Sequence, residues 1–507
     1  MKMTGSSRKK VRTGGGLVKT VIFRVLLLVL SIIVYNTVMF TSKQPNVELL
    51  EKDHIDSYSA LSARQLAARL SDAIKFKTVS YNNPNDIEYD EFIKLHRYLE
   101  QTFPKTFKYL EVEVVNKYSL LLKWQGSDRD LKPVMLAGHM DVVPITNHEH
   151  WTHPPFEGVL DDQYIWGRGS MDDKLVVMGV LEAVEDMITQ GFRPQRTLYL
   201  AFGHDEELGG ANGAKHIAQL LMSRNVQFEY ILDEGLLIIT PPVLPGVDKP
   251  IATVGNAEKG FLTVELTVTT VGGHSSMPPK NTAIGILSSA IAKLEANPMK
   301  SNFKEVANLL DFVGREASLL YRIIFSNLWL FRPIISMSMS NKPSLDSLQS
   351  GTKPNVLPYT ANATLNFRIS PSNNIQDVLD HIRNTIQDDR IQIVEIESTE
   401  PAPVSPTDSG SFRLLQSTIL QEFPNIIVAP AVMVANTDTR WYWDLSPNIY
   451  RFCPQILSNS DLTRFHGIDE RLSIDNYRQV VDFYYHLIRN GDVNNTEFSV
   501  IKKHIQY

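Results

Sequence analysis

The chain has 507 residues, 43% hydrophobic and 21% charged, which is ordinary for globular domains and leaves room for more than one core. Its net charge of −6 is uneven: Lys2, Arg8, Lys9, Lys10, Arg12, Lys19 and Arg24 precede any acid, so the body is strongly acidic, which excludes nucleic acid as its main partner. Cys453 is the only cysteine, which excludes an internal disulfide and is unusual for a domain outside the cytosol.

Residues 1–16 read as a basic cytosolic tail and 17–42 as a transmembrane signal anchor. The uncharged run from Val25 to Ser42 reaches about 27 Å as a helix, close to the ~30 Å hydrocarbon core. Arg24 and Lys19 are placed to snorkel towards headgroups. Positive charge ahead of the span puts the N-terminus in the cytosol and the body across the membrane. The expectation is a single-pass type II protein with a luminal, vacuolar, lysosomal or extracellular body. The alternative is secretion after signal-peptide cleavage, but Tyr35 to Phe40 offers no small-x-small site. Residues 43–58 read as a polar stalk. Sequons at Asn362 and Asn494 are candidate glycosylation sites if the body is luminal.

From Ser59 a helical pattern begins, with Leu61, Leu66, Leu70 and Ile74 on one face. Pro133 to Ala137 is a buried strand leading into Gly138-His139-Met140-Asp141-Val142-Val143-Pro144. His139 and Asp141 fall on one side at strand period two. An imidazole ligates zinc and a neighbouring carboxylate can orient it, although such a pair is more often a satisfied polar contact. After the glycine-rich Trp166 to Ser170, Asp172 and Asp173 open a helix carrying Val176, Val180, Val184 and Met187, with Gly191 as its stop. Alone, Asp172 reads as an N-cap. The strand Thr197–Phe202 ends in Gly203-His204-Asp205-Glu206-Glu207, and Phe228–Leu232 ends at Asp233-Glu234-Gly235. Consecutive acids after buried strands are costly unless something cationic neutralises them, though isolated acidic triplets are usually solvated loops. Strand carboxyl ends in an α/β sheet share one edge, where ligands bind.

The middle of the chain alternates. Leu262, Val264, Leu266 and Val268 interleave with polar residues, as do Ala361, Ala363, Leu365, Phe367 and Ile369. Alternation indicates a sheet with one open face. Residues 258–397 therefore read as an inserted α+β lid or dimerisation-type domain between catalytic segments 59–257 and 398–507. Leu319 to Met337 is very apolar. It reads as lid core, with a greasy substrate wall as the alternative, and Arg322, Arg332 and Pro333 count against a second span.

The late stretches Thr437-Asp438-Thr439-Arg440 and Arg464-Phe465-His466-Gly467-Ile468-Asp469-Glu470 add a second candidate imidazole. Together these motifs resemble the metallopeptidase-20 family of dizinc carboxypeptidases and aminoacylases, closest to the subgroup of carboxypeptidase S and the N-fatty-acyl-amino acid synthase/hydrolases. The resemblance implies an α/β, dizinc exopeptidase-like catalytic domain, a mixed sheet flanked by helices. It implies two zinc ions, with His139 and His466 on one each, Asp172 bridging, and Glu207 and Asp233 completing them. It makes Glu206 the general base, Asp141 the residue that steadies His139, and His274 of the lid the oxyanion stabiliser, acting across a homodimer in some members. Asn355, Arg368 and Arg440 match substrate-binding positions, Arg368 for a free carboxylate.

The chemistry follows from the residue types. Paired metals polarise a carbonyl and lower the pKa of a bound water, a Glu shuttles its proton to the leaving nitrogen, and an Arg fork suits a carboxylate. The expected reaction is hydrolysis of a peptide or N-acyl-amino acid amide beside a free C-terminal carboxylate, or its reversal. A dipeptidase or small-acyl aminoacylase is the enzymatic alternative, and a metal-bound binding protein without turnover is the alternative of another class. Retention of Glu206 argues against the latter.

Overall fold

The computed structural model describes residues 15–47, 59–300, 303–337, 340–341, 344–351, 353 and 355–493. Helix α1 (Gly15–Met39) leads to α2 (Ala63–Ile74), whose start is set by a capping box between Ser62 and Gln65. Strands β1 (Glu111–Val115), β2 (Ser119–Trp124) and β3 (Val134–His139) precede α3 (Lys174–Thr189). Strands β4 (Leu198–Gly203), β5 (Ile231–Ile239) and β6 (Ile251–Glu258) follow.

After Lys259 the chain enters a second sheet. The segment as far as Thr399 contains β7 (Gly260–Thr269), helices α4 (Ala283–Ala296), α5 (Lys304–Val313), α6 (Leu319–Ser326) and α7 (Leu328–Met337), β8 (Ser344–Ser350), β9 (Thr360–Ile369), α8 (Ile375–Ile386) and β10 (Ile391–Thr399) in chain order. The chain returns beside its exit, where Ala402 N–H donates to Glu258 O at 3.1 Å and Ser405 N–H to Asn256 O at 2.7 Å. It then forms α9 (Gly410–Glu422), β11 (Ile427–Met433), β12 (Ile449–Leu457) and α10 (Ile474–Gly491).

The large sheet has eight strands in the order β1-β2-β4-β3-β5-β12-β6-β11. Parallel pairs β3–β4, β3–β5, β5–β12 and β6–β11 mix with antiparallel ones. Strands β3 and β4 are buried throughout, because helices cover both faces: α2, α3, α9 and α10 on one, Ala214–Ser223 on the other. The second sheet, β8-β9-β7-β10, is antiparallel, and its apolar residues pack on α4 and α8 while their neighbours in sequence face outward.

Two segments depart from the sequence reading. The apolar run from Leu319 is not core for the second sheet. Phe303, Leu310, Phe312, Val313 and Phe325 join the core of the large sheet instead. Phe312 meets Phe412 edge-on with ring centroids 5.8 Å apart. The helix before the run, α5, packs on the larger core; of the run itself Phe325 is buried there, while Leu319, Leu320, Trp329 and Ile334 stay exposed. The start of the expected stalk is docked as well. Gln44 Nε2 donates to Val428 O at 3.0 Å, and its Oε1 accepts from Val428 N at 2.9 Å. Strand β11 ends the sheet, so this amide closes part of an exposed edge. Residues 48–58 and Asn494 lie outside the described residues.

Candidate metal centre

Strand β3 delivers His139 to the sheet edge. Gly138 is required there, since a Cβ would stand 2.6 Å from Asp173 Oδ2, the acceptor of His139 N–H. Asp141, fully buried, ties three parts together. Its Oδ1 lies 3.3 Å from His139 Nδ1 and accepts from Glu206 N at 3.1 Å, while Oδ2 accepts from Glu207 N at 3.1 Å and Ser80 Oγ at 2.6 Å. Burial pushes the Asp141 carboxyl up, but the His139 bond and these donors outweigh it and hold it below the usual range.

Asp172 is not the helix cap; Asp173 occupies that position. Its carboxylate is shared: Oδ1 lies 3.1 Å from His139 Nε2 and Oδ2 3.1 Å from His466 Nε2. Glu234 Oε1 stands 3.5 Å from His139 Nε2, and Glu207 Oε2 3.3 Å from His466 Nε2. Two donor groups result, His139–Asp172–Glu234 and Asp172–Glu207–His466. Ligands bound at about 2.1 Å around a tetrahedral ion stand roughly 3.4 Å apart, so these separations fit. The electrostatics fit as well. Burial holds the Glu206, Glu207 and Glu234 carboxyls above the usual range, and Glu207 Oε1 has no partner among the described residues. His466 is pushed up to about 10 by hydrogen bonds to Asp172 and Glu207. A cation would relieve this crowding of buried carboxylates.

Asp233, expected as a ligand, lies in neither donor group, although its buried Oδ2 has no partner among the described residues; the acid within 3.5 Å of His139 Nε2 is Glu234. The two acids are not at a strand end. Strand β5 runs on to Ile239 with a register shift after Asp233, and successive side chains in a strand face opposite ways. Asp233 pairs in register with Arg451, which also reaches Glu258 at 3.1 Å. Burial raises the Asp233 carboxyl to about 7. Glu206 belongs to neither group, although the Glu207 charge in one raises its carboxyl and its own charge raises that of Glu234 in the other.

The sequence reading missed Glu470. It is fully buried, and its Oε1 accepts from the backbone N–H of Gly169, Met171 and Asp172, with Oε2 on Arg168 Nη1 at 2.5 Å. One side chain thereby shapes the loop that presents Asp172. Its signal was an acid four residues after His466, within a stretch singled out only for the imidazole. His466 itself adopts a left-handed backbone, φ 56°, uncommon for a residue with a Cβ.

The remaining residues take separate positions. Arg440 lies over the turn after Glu207, its Nη1 3.5 Å from where a Gly209 Cβ would be, with Nε donating to Thr437 O at 3.1 Å. His274 and Asn355 are exposed on adjoining loops, joined by the ladder Gly273–Leu357 and His274–Val356 and by Ser275 N–H donating to Asn355 O at 3.2 Å. His274 Nδ1 meets Ser276 Oγ at 2.7 Å. Arg368 is exposed on β9, its guanidinium 5.9 Å from the Phe261 ring centroid. Asn362 is half-buried in the same interior strand, its Oδ1 shielded from solvent.

A mixed α/β sheet that gathers two donor groups around one shared carboxylate defines a metallohydrolase. The chain belongs to peptidase family M20/M25/M40, whose sequence model matches residues 135–490, and so to enzymes that hydrolyse amide bonds. It is 56% identical over 490 residues to the probable carboxypeptidase S-like 2 of Dictyostelium discoideum, covering 94% of each chain. It is 41% identical over 449 residues to an N-fatty-acyl-amino acid synthase/hydrolase of Xenopus tropicalis (85% of this chain, 87% of the relative). It is 33% identical over 490 residues to carboxypeptidase S of Saccharomyces cerevisiae, covering 83% of each. In fold it is similar to an M20 family metallo-carboxypeptidase from Sulfolobus solfataricus, with TM-score 0.61 and 15% identity over 85% of this chain and 100% of that one.

Proposed function

We propose that this chain is a membrane-anchored dizinc amidohydrolase that cleaves, and in reverse forms, the amide of a peptide or N-acyl amino acid beside a free carboxylate. The observation that carries it is Asp172, whose two oxygens each face one imidazole while Glu206 stands by outside both donor groups. His139, Asp172 and Glu234 hold one ion; Asp172, Glu207 and His466 hold the other. Bound there, the pair supplies a polarised carbonyl and an acidified water. Glu206, raised by burial and by Asp438 and Glu207 close by, takes the water's proton and passes it to the leaving nitrogen. Asp141 keeps His139 oriented. His274 stabilises the oxyanion from the second sheet, from the same chain or across a homodimer, and Asn355, Arg440 and Arg368 hold the substrate. The names of the relatives support both a peptide and a fatty-acyl amino acid as substrate.

The test is Glu206→Gln. The variant keeps its metal by elemental analysis and loses nearly all turnover on a panel of Gly-Leu-type peptides and long-chain acyl amino acids. Loss of metal together with activity would move Glu206 into the ligand set. Wild-type turnover confined to unblocked dipeptides would favour a dipeptidase.

A further inference from the structure

Helix α1 holds one segment, Val18–Met39, long and apolar enough to cross a membrane, and none of it is buried. Only one stripe is shielded: Val29, Ile33, Asn36 and Thr37 in its second half and Phe40 just past its end are half-buried. Ile33, Asn36 and Thr37 face α6 and the turn into α7. Asn36 Nδ2 donates to Asn327 Oδ1 at 3.0 Å, Thr37 Oγ1 meets Ser326 Oγ at 3.1 Å, and Asn327 Nδ2 reaches Ile33 O at 3.4 Å. Phe40 rests on Gly314, where a Cβ would come within 2.7 Å of its ring. Asn327 is wholly buried, and its bonds also run to Ile323 O and Thr37. Polar side chains satisfied across helices in this way are the glue of apolar helix pairs.

Ile33 lies six residues inside the end of the apolar segment, roughly 9 Å along a helix. If α1 spans the bilayer, whatever Ile33 touches sits at hydrocarbon depth. The surface of α6 and α7 suits that depth. Leu319, Leu320, Trp329 and Ile334 are 66%, 64%, 53% and 69% exposed, four large apolar side chains left open to the surroundings on two consecutive helices, the kind of surface that marks a membrane or partner contact. Trp329 Nε1 is satisfied by Asn327 Oδ1 at 3.2 Å, and Arg332, over the Phe303 ring at 5.7 Å, is placed to snorkel.

We infer that α6 and α7 form a second membrane element, a helical hairpin embedded in the phospholipid leaflet next to the body, alongside α1. The inference rests on reading α1 as the membrane span. It makes the protein doubly seated: α1 sets the position and α6–α7 sets the tilt, because two contacts fix an orientation that one helix leaves free to rotate. Strand β11, against which α5 packs, links the hairpin to the sheet that carries the metal centre.

The test is nitroxide accessibility of the full chain in phosphatidylcholine–phosphatidylserine vesicles. Leu28→Cys, Leu320→Cys, Ile334→Cys and Val394→Cys are labelled one at a time; all four side chains are exposed, so each variant keeps the fold and its peptide or acyl-amino acid turnover. Labels at 28, 320 and 334 should shift to oxygen-dominated accessibility, with that at 394 remaining dominated by an aqueous nickel chelate. A lipid-like label at 28 with water-like labels at 320 and 334 overturns the hairpin and leaves the anchor standing. Lipid-like labels at 320 and 334 with a water-like label at 28 keep the hairpin and remove the span. Labels at 320 and 334 that are shielded from both reagents and broadened by spin–spin coupling identify a second copy of the chain on this face, and overturn the proposal.

Discussion

At the residue scale, the choice between adjacent acids decides the metal centre. Asp233 and Glu234 differ by one methylene and one position, yet only Glu234 comes within 3.5 Å of His139 Nε2, while Asp233 accepts Glu234 N–H at 2.9 Å and pairs in backbone register with Arg451. Glu234→Gln should weaken one of the two proposed metal sites by at least the roughly 10–100-fold that follows loss of a supporting residue. Asp233→Asn, which keeps an acceptor for Glu234 N–H, should leave metal content unchanged. Elemental analysis after dialysis separates them, and the reverse pattern would return Asp233 to the ligand set. Arg368→Lys tests the carboxylate role. An Arg fork makes two charge-assisted bonds that Lys cannot copy, at about 1.5–3 kcal/mol each. The expected loss in kcat/KM is therefore about ten- to a hundredfold for substrates with a free carboxylate. Equal losses on the matching carboxamides would leave Arg368 structural.

At the scale of elements, helix packing has buried an acid where water cannot help it. Glu182 of α3 is 1% exposed; its Oε2 accepts from Arg69 of α2 at 2.7 Å, and its Oε1 has no partner among the described residues. Burial outweighs the Arg69 charge and raises the carboxyl from 4.5 to about 8. In the unfolded chain the same group ionises near 4.5. Between these values the folded state holds a proton the unfolded state has released, so this group's contribution falls as pH rises from about 4.5 to about 8 and is level above that. Glu182→Gln removes the titration. Its stability relative to wild type should be near neutral at pH 5 and should increase towards pH 8, by on the order of a few kcal/mol. Denaturant unfolding at the two pH values measures it, and a constant difference would show that Arg69 keeps Glu182 ionised throughout.

At the scale of the whole molecule, the prediction concerns sidedness. The body, with its metal centre, should lie across the membrane from the basic N-terminus. Protease added to sealed microsomes should therefore trim only the tail, and should digest the body once detergent opens the vesicles. A body digested in sealed vesicles would reverse the orientation. Glycosidase treatment adds a second readout, for which Asn494 is the better-placed sequon, since Asn362 is half-buried in an interior strand.

Much of this architecture was legible in the chain because its signals are local. Apolar β3 and β4 read as buried strands, alternating β7 and β9 as one-sided ones, and the apolar run behind seven cations forms a helix long and apolar enough to cross a membrane. His139, Asp172, Glu207 and His466 are singled out in the chain through the family resemblance rather than by their local patterns, each of which alone reads as a polar contact, a cap or a solvated loop; the fold brings the four into the two candidate donor groups. What only the tertiary structure decided depends on contacts between residues far apart in sequence. That Glu234 stands within 3.5 Å of His139 depends on how strand β5 is seated in the sheet, where Asp233 pairs in register with Arg451, 218 positions later. Glu470 matters because its carboxylate closes on backbone N–H groups some 300 residues earlier. Leu319 to Met337 is apolar in any context; that it lies against α1 rather than over the second sheet is set by Asn327 meeting Asn36 across 291 positions. Hydropathy measures how strongly a segment avoids water, and carries no record of the partner it finds.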